Sequence, residues 1–282
     1  MRSASRLLFP FALALGLLHG PMQAHAGEIL RLAVVNTPKF SGLMDDLIVD
    51  FKATGGGDVS VYGGNDVFEK ARAGEADLVI AHWGKSEVER FVLDGFGSWP
   101  RMVFSNQMAI VGPASDPAGI RGLKSAAEAL KKIAAAKAPF AVNALPGVTY
   151  ASDVLWLMAG SPAKGDWLLD PGVAKGQAMR FAEEKGAYTI WGALPFLRFK
   201  ENNASTMELM VTADPLLQRV MAAIVVRSDK VSGVNPKAAE AFVAYLISPR
   251  GQARIAAFRS HGVDAQLWWP AGRHNAGEGF EE

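Results

Sequence analysis

The residues with chemistry to offer stand just after short apolar runs. Asn36 and Thr37 follow the run 29–35, with Ser41 close behind, Gly64 and Asn65 follow 58–62, and His82 and Trp83 follow 76–81. Later in the chain, Asn143, Thr149 and Tyr150 come after 139–142, and Trp191 comes after 187–190. Hydroxyls, carboxamides and helix-terminal amides collected at such places suit an anion or another electron-rich group. The rings of His82, Trp83, Tyr150 and Trp191 suit a planar or cationic organic molecule instead. Both are binding chemistries. Catalysis finds less support, because no Gly-x-Ser-x-Gly elbow, His-Glu-x-x-His helix or Walker loop occurs. His82, His261 and His274 are well separated and lack metal-ligand spacing. Asp77 is expected at the start of its strand, at the opposite end from His82, so the two do not form an acid–base pair. No catalytic residue, metal site or cofactor is assigned.

The elements that must position these residues follow from the apolar pattern. Val34 and Val35 favour a strand, Pro38 stops it, and Ser41 is placed to cap a helix over 42–54. The units 58–73 and 76–93 repeat this strand-turn-helix order, the second of the turns carrying Gly63-Gly64-Asn65, where glycine permits close backbone approach. Three such units imply a parallel sheet whose ligand sits at the carboxyl ends of the strands. The stretch 102–111 holds two short apolar runs split by Ser105-Asn106-Gln107 and broken by Gly112-Pro113, which reads as a crossing into a second domain. That domain repeats the logic, with helices expected over 126–136 and 176–184, a strand at 139–142 leading through 143–150 to a helix ending at 158, and a strand at 187–190. The apolar strand 219–226 reads as the return crossing, followed by helices at 235–246 and 248–258, the latter with proline in its first turn. The tail 274–282 is glycine-rich and acidic and is expected to be disordered.

Composition narrows the class further. Arg2 and Arg6 precede the apolar block 7–18, and Ala24-His25-Ala26 supplies small residues around a cleavage point, the pattern of a secretory signal peptide over 1–26. An uncleaved anchor is the other reading of this segment. Removing it leaves 256 of the 282 residues, with 27 Lys and Arg against 28 Asp and Glu, a net charge of −1. Near neutrality argues against nucleic acid as a partner. There is no cysteine, so disulfides, thiolate catalysis and cysteine zinc sites are excluded.

Nearly the whole mature chain resembles the tungstate-binding substrate-binding proteins of ABC importers, within the type II periplasmic-binding-protein fold. The resemblance rests on Ser41-Gly42-Leu43, Gly74-Glu-Ala-Asp-Leu-Val79, the run 110–120, Ala127-Glu-Ala-Leu-Lys-Lys-Ile133, Glu184-Lys-Gly-Ala-Tyr-Thr189 and Leu246-Ile-Ser-Pro-Arg-Gly-Gln252. It implies two α/β lobes joined by two hinge strands, at 108–111 and 223–226, with ligand trapped between them. Lobe 1 would comprise 27–108 plus 224–282, and lobe 2 would comprise 109–223. It also implies a periplasmic monomer, with an ABC transporter permease, or a membrane sensor, as partner.

The departures bear on the ligand. Members of that family usually carry a hydroxyl-rich run where this chain has Val35-Asn36-Thr37-Pro38, and an arginine where it has Asn143-Ala-Leu-Pro-Gly147. They also have a polar, arginine-containing segment where it has Ile190-Trp-Gly-Ala-Leu194. Both expected arginines, the forked donors for an oxyanion, are missing. A small organic molecule or a different anion is therefore expected in place of tungstate, with a tungstate or molybdate binder as the alternative. Lys39 is the nearest cation in sequence that could restore oxyanion binding.

Overall fold

A computed structural model describes residues 29–212 and 214–272. The expected signal peptide and the expected disordered tail lie outside the described residues. The first half of the chain runs β1 (Leu30–Val35), α1 (Asn36–Phe40), α2 (Leu43–Ala53), β2 (Val59–Gly64), α3 (Val67–Arg72), β3 (Leu78–His82), α4 (Ser86–Leu93) and β4 (Arg101–Gly112). It continues through α5 (Ala126–Ala136), β5 (Phe140–Ala141), α6 (Pro146–Met158), β6 (Leu168–Leu169), α7 (Lys175–Glu184), β7 (Thr189–Gly192), α8 (Ala193–Asn203) and β8 (Glu208–Val211). A 3-10 turn (Pro215–Leu217) leads into β9 (Gln218–Val225), α9 (Pro236–Ile247), α10 (Pro249–Ala257) and β10 (Trp268–Pro270).

The first three strands form the expected parallel unit, with β1 between β2 and β3. The near-continuous apolar runs of β1 and β3 suit strands covered on both faces, whereas β2, at the sheet edge, alternates. On one face Leu32, Leu47, Phe51 and Phe242 pack together, and on the other Phe68, Val79, Phe91 and Ile224. Beyond β3 the sheet turns antiparallel: β9 pairs with β3, and β4 pairs with β9. The result is a mixed sheet in the order β10-β4-β9-β3-β1-β2.

β4 is one continuous strand across the expected break at 105–107. Its first part, Arg101 to Gln107, pairs with β9, and its last part, from Met108 onward, pairs with β7 and β8 in a second, smaller sheet. The crossing expected at 108 is therefore a change of partner within a single strand. The stretch expected to form the other crossing, 223–226, falls at the end of β9. β9 is in register with β3 from Met221 to Val225 and with β4 from Gln218 onward, so the chain has returned from the smaller sheet before residue 218.

Local signals hold the helix ends. The Asn235 side chain accepts from the Ala238 amide at 3.1 Å and Ser248 from the Gly251 amide at 3.1 Å, each followed by proline at the first helical position. Asp77, fully buried, accepts from the Arg31 amide at 2.7 Å, the Arg31 guanidinium and the Asn235 amide at 2.8 Å. It thereby ties β1, β3 and the start of α9 at the sheet end opposite His82.

Candidate functional site

The carboxyl ends of β1 and β3, the middle of β4 and the start of β9 face the first turns of α6 and α8 across a cleft. Its inner chamber has a volume of about 170 Å³ and is lined by Thr37, His82, Lys85, Asn106, Arg219, Trp191 and the first turns of those two helices. It shares Thr37, His82, Lys85 and Trp191 with an outer chamber of about 430 Å³ that adds Asn36, Asn65, Phe68, Glu87 and Lys175.

Strand pairing explains how the polar group assembles. Asn106 lies opposite Arg219 in the β4–β9 ladder, and His82 lies opposite Met221 in the β3–β9 ladder. His82 Nε2 is 3.3 Å from Asn106 Oδ1, an arrangement satisfied when Nε2 carries the proton. The Arg219 guanidinium crosses the cleft and donates to the carbonyl of Gly147.

Charge in this chamber is one-sided. Burial, then the positive charges of Arg219 and Lys85, push His82 down to about 3, so its ring is neutral at physiological pH. Burial also lowers Arg219, which stays cationic because guanidinium loses its proton far above neutral pH. Two cations and a neutral imidazole thus face the inner chamber without a lining carboxylate. Glu87 reaches only the outer one. The arrangement attracts and orients an anion.

A family model described as bacterial extracellular solute-binding protein matches residues 32–263. The chain belongs to that family. Among relatives of this solute-binding protein, a Haloferax volcanii protein named for anion binding in an ABC transporter is 32% identical over 86% of this chain and 71% of its own length. The tungstate-binding protein TupA of Peptoclostridium acidaminophilum is 29% identical over 86% of each chain. In three dimensions, the tungstate-binding protein TupA from Desulfovibrio alaskensis G20 superposes with a TM-score of 0.75 at 26% identity, covering 87% of this chain and all of the other. The tungstate ABC transporter structure from Geobacter sulfurreducens gives 0.65 at 28% identity over 82% of this chain and 99% of the other. The fold is that of the periplasmic binding proteins. These relatives are solute-binding proteins rather than enzymes.

The cleft of this solute-binding protein gathers some of the residues read from sequence and leaves others out. Thr37, His82 and Trp191 line the inner chamber, and Asn36 and Asn65 the outer one, joined by a 3.3 Å hydrogen bond. Ser41 is buried. Its hydroxyl donates to the Pro38 carbonyl at 2.9 Å and accepts from the Leu43 amide at 3.2 Å, which engages its single donor within the loop. Asn36 and Thr37 open α1 directly, so the expected polar turn is a helix with Pro38 in its first turn.

Asn143, also buried, accepts from the Leu145 and Lys175 amides and donates to the Ile190 carbonyl, which makes it a loop organiser beneath the cleft wall. Trp83 packs against the core around Phe91, Gly64 is buried at the end of β2, and neither lines the chambers. Thr149 donates back to the Leu145 carbonyl at 3.4 Å, and Tyr150, 66% exposed, lies within electrostatic reach of Arg219 without lining the chambers. Lys39 bonds Asp45 at 2.8 Å and does not line the chambers.

Arg219, Lys85 and Asn106 were not singled out from sequence. The available signal was an arginine heading an otherwise apolar strand. Its use depended on knowing that the strand enters the sheet from the cleft side.

Proposed function

We propose that this solute-binding protein is exported as a monomer to the periplasm, captures a small anion in the cleft and delivers it to the membrane permease of an ABC importer. The proposal includes a ligand different from the tungstate named for its relatives. One observation carries the anion: Arg219 spans the cleft and, with Lys85, leaves the inner chamber cationic. Its guanidinium arrives at Gly147, in the loop where the resembling family carries its own arginine. The missing cation is thus replaced from a different strand. Trp191 and the altered residues 35–38 support the change of ligand, because the hydroxyl-rich run and the second arginine segment have no counterpart here.

Native mass spectrometry of exported protein, before and after Arg219→Gln, tests the reading. A co-purifying anion lost in the variant supports it. A neutral or cationic ligand retained by the variant overturns it.

A further inference from the structure

The two walls of the inner chamber differ in kind. Donors come from the large-sheet wall: Thr37, His82, Lys85, Asn106 and Arg219. The opposite wall presents the side chains of Leu145, Val148 and Trp191 and the backbone of Gly147 and Gly192, with Met108 at its foot.

Prolines remove donors from that opposite wall. Pro146 is the first residue of α6 and Pro195 the third of α8, and both line the chamber without an N–H. The Val148 and Thr149 amides are turned inward to the Leu145 carbonyl at 2.7 and 3.0 Å. Trp191 is held edge-on to Phe199, ring centroids 6.1 Å apart, which fixes the indole at the boundary of both chambers.

A tetrahedral oxyanion carries its charge on oxygens pointing in every direction. Seated here, those facing Val148 and Met108 would lose water without gaining donors, a cost that grows with burial. A carboxylate concentrates its charge at one end, matches the guanidinium fork and leaves the rest of the molecule apolar. Resting on the anion reading above, we infer that the ligand is an organic monocarboxylate, its carboxylate on Arg219 and its flat apolar body against Trp191 and Val148. The opening into the outer chamber gives that body room to extend past Asn65 and Phe68.

Calorimetric titration of the full mature chain with acetate, butyrate, benzoate, phenylacetate, tungstate and molybdate tests this. Affinity rising with the apolar body of the carboxylate is the expected result. Trp191→Ala should weaken benzoate or phenylacetate binding by about tenfold, the size of one good ring contact. Trp191→Phe, which keeps a flat ring, should stay within a few-fold and controls for loss of folding. Tight tungstate binding abolished by Arg219→Gln, with every carboxylate silent, overturns this inference while leaving anion capture standing. Silence from both classes at millimolar concentration removes both.

Discussion

Arg219 and Gly147 form a bridge across the cleft: the guanidinium of the first belongs to the large sheet, and the carbonyl of the second to the opening turn of α6. An ideal Cβ on Gly147 would overlap that guanidinium, whose atoms are its three nearest neighbours. The clash falls on the far end of a flexible side chain, so it displaces the arginine more readily than it strains the backbone. Gly147→Ala should therefore reduce affinity for a cleft anion by about tenfold, the scale of one charge-assisted bond. Its thermal midpoint should stay within a few degrees of wild type. Titration alongside calorimetric melting checks both; a large fall in midpoint with intact affinity would contradict the assignment.

A second bridge joins the same two sides, since Arg198 of α8 donates to the Phe40 carbonyl at the end of α1. The connections between the two sheets are the partner change in β4 and the segment before Gln218, a geometry open to hinge motion. Arg198→Ala combined with Arg219→Gln should enlarge the radius of gyration of the ligand-free protein in small-angle scattering. An unchanged radius would mean that other contacts hold the cleft shut.

Acid should weaken the fold through His82. Its folded pKa, about 3, lies below the ordinary 6.5, so between these values the unfolded chain binds a proton that the folded chain does not. Stability is full above pH 6.5 and falls as pH drops toward 3, by up to about 1.4 kcal/mol per pH unit. His82→Gln should flatten urea-unfolding free energies between pH 6.5 and 4.5. Asp50, held down to about 2 by the Arg250 guanidinium, acts only at lower pH and does not confuse that window. Parallel curves for variant and wild type would refute the role of His82.

At the other end of the sheet, Asp77→Ala removes the acceptor for two backbone amides and one guanidinium. Buried donors left without partners cost about 1–3 kcal/mol each, while the half-exposed Arg31 guanidinium keeps the Gly74 and Gly233 carbonyls. A loss of about 4 kcal/mol in chemical denaturation is expected, with anion affinity in the surviving folded protein unchanged, because Asp77 lies at the far end of β3 from His82.

Much of this molecule was legible before any fold was known. The helices of residues 126–136 and 248–258, the caps Asn235 and Ser248, and the strand-turn-helix rhythm of the first 93 residues follow from periodicity and short-range hydrogen bonding, which act within a few residues and need no tertiary partner. That rhythm also pointed to the sheet edge at the cleft, which Thr37, His82 and Trp191 line. The sequence alone could not say which polar groups on that edge remain free. Ser41 and Asn143 have the right chemistry, but nearby backbone groups take up their hydrogen bonds once the loops close. Nor could it show that β9 runs antiparallel between β3 and β4, the pairing that brings Arg219 beside Asn106 and near His82 at the cleft. That choice depends on long-range strand pairing, whose partners lie more than a hundred residues apart, and no local pattern encodes it.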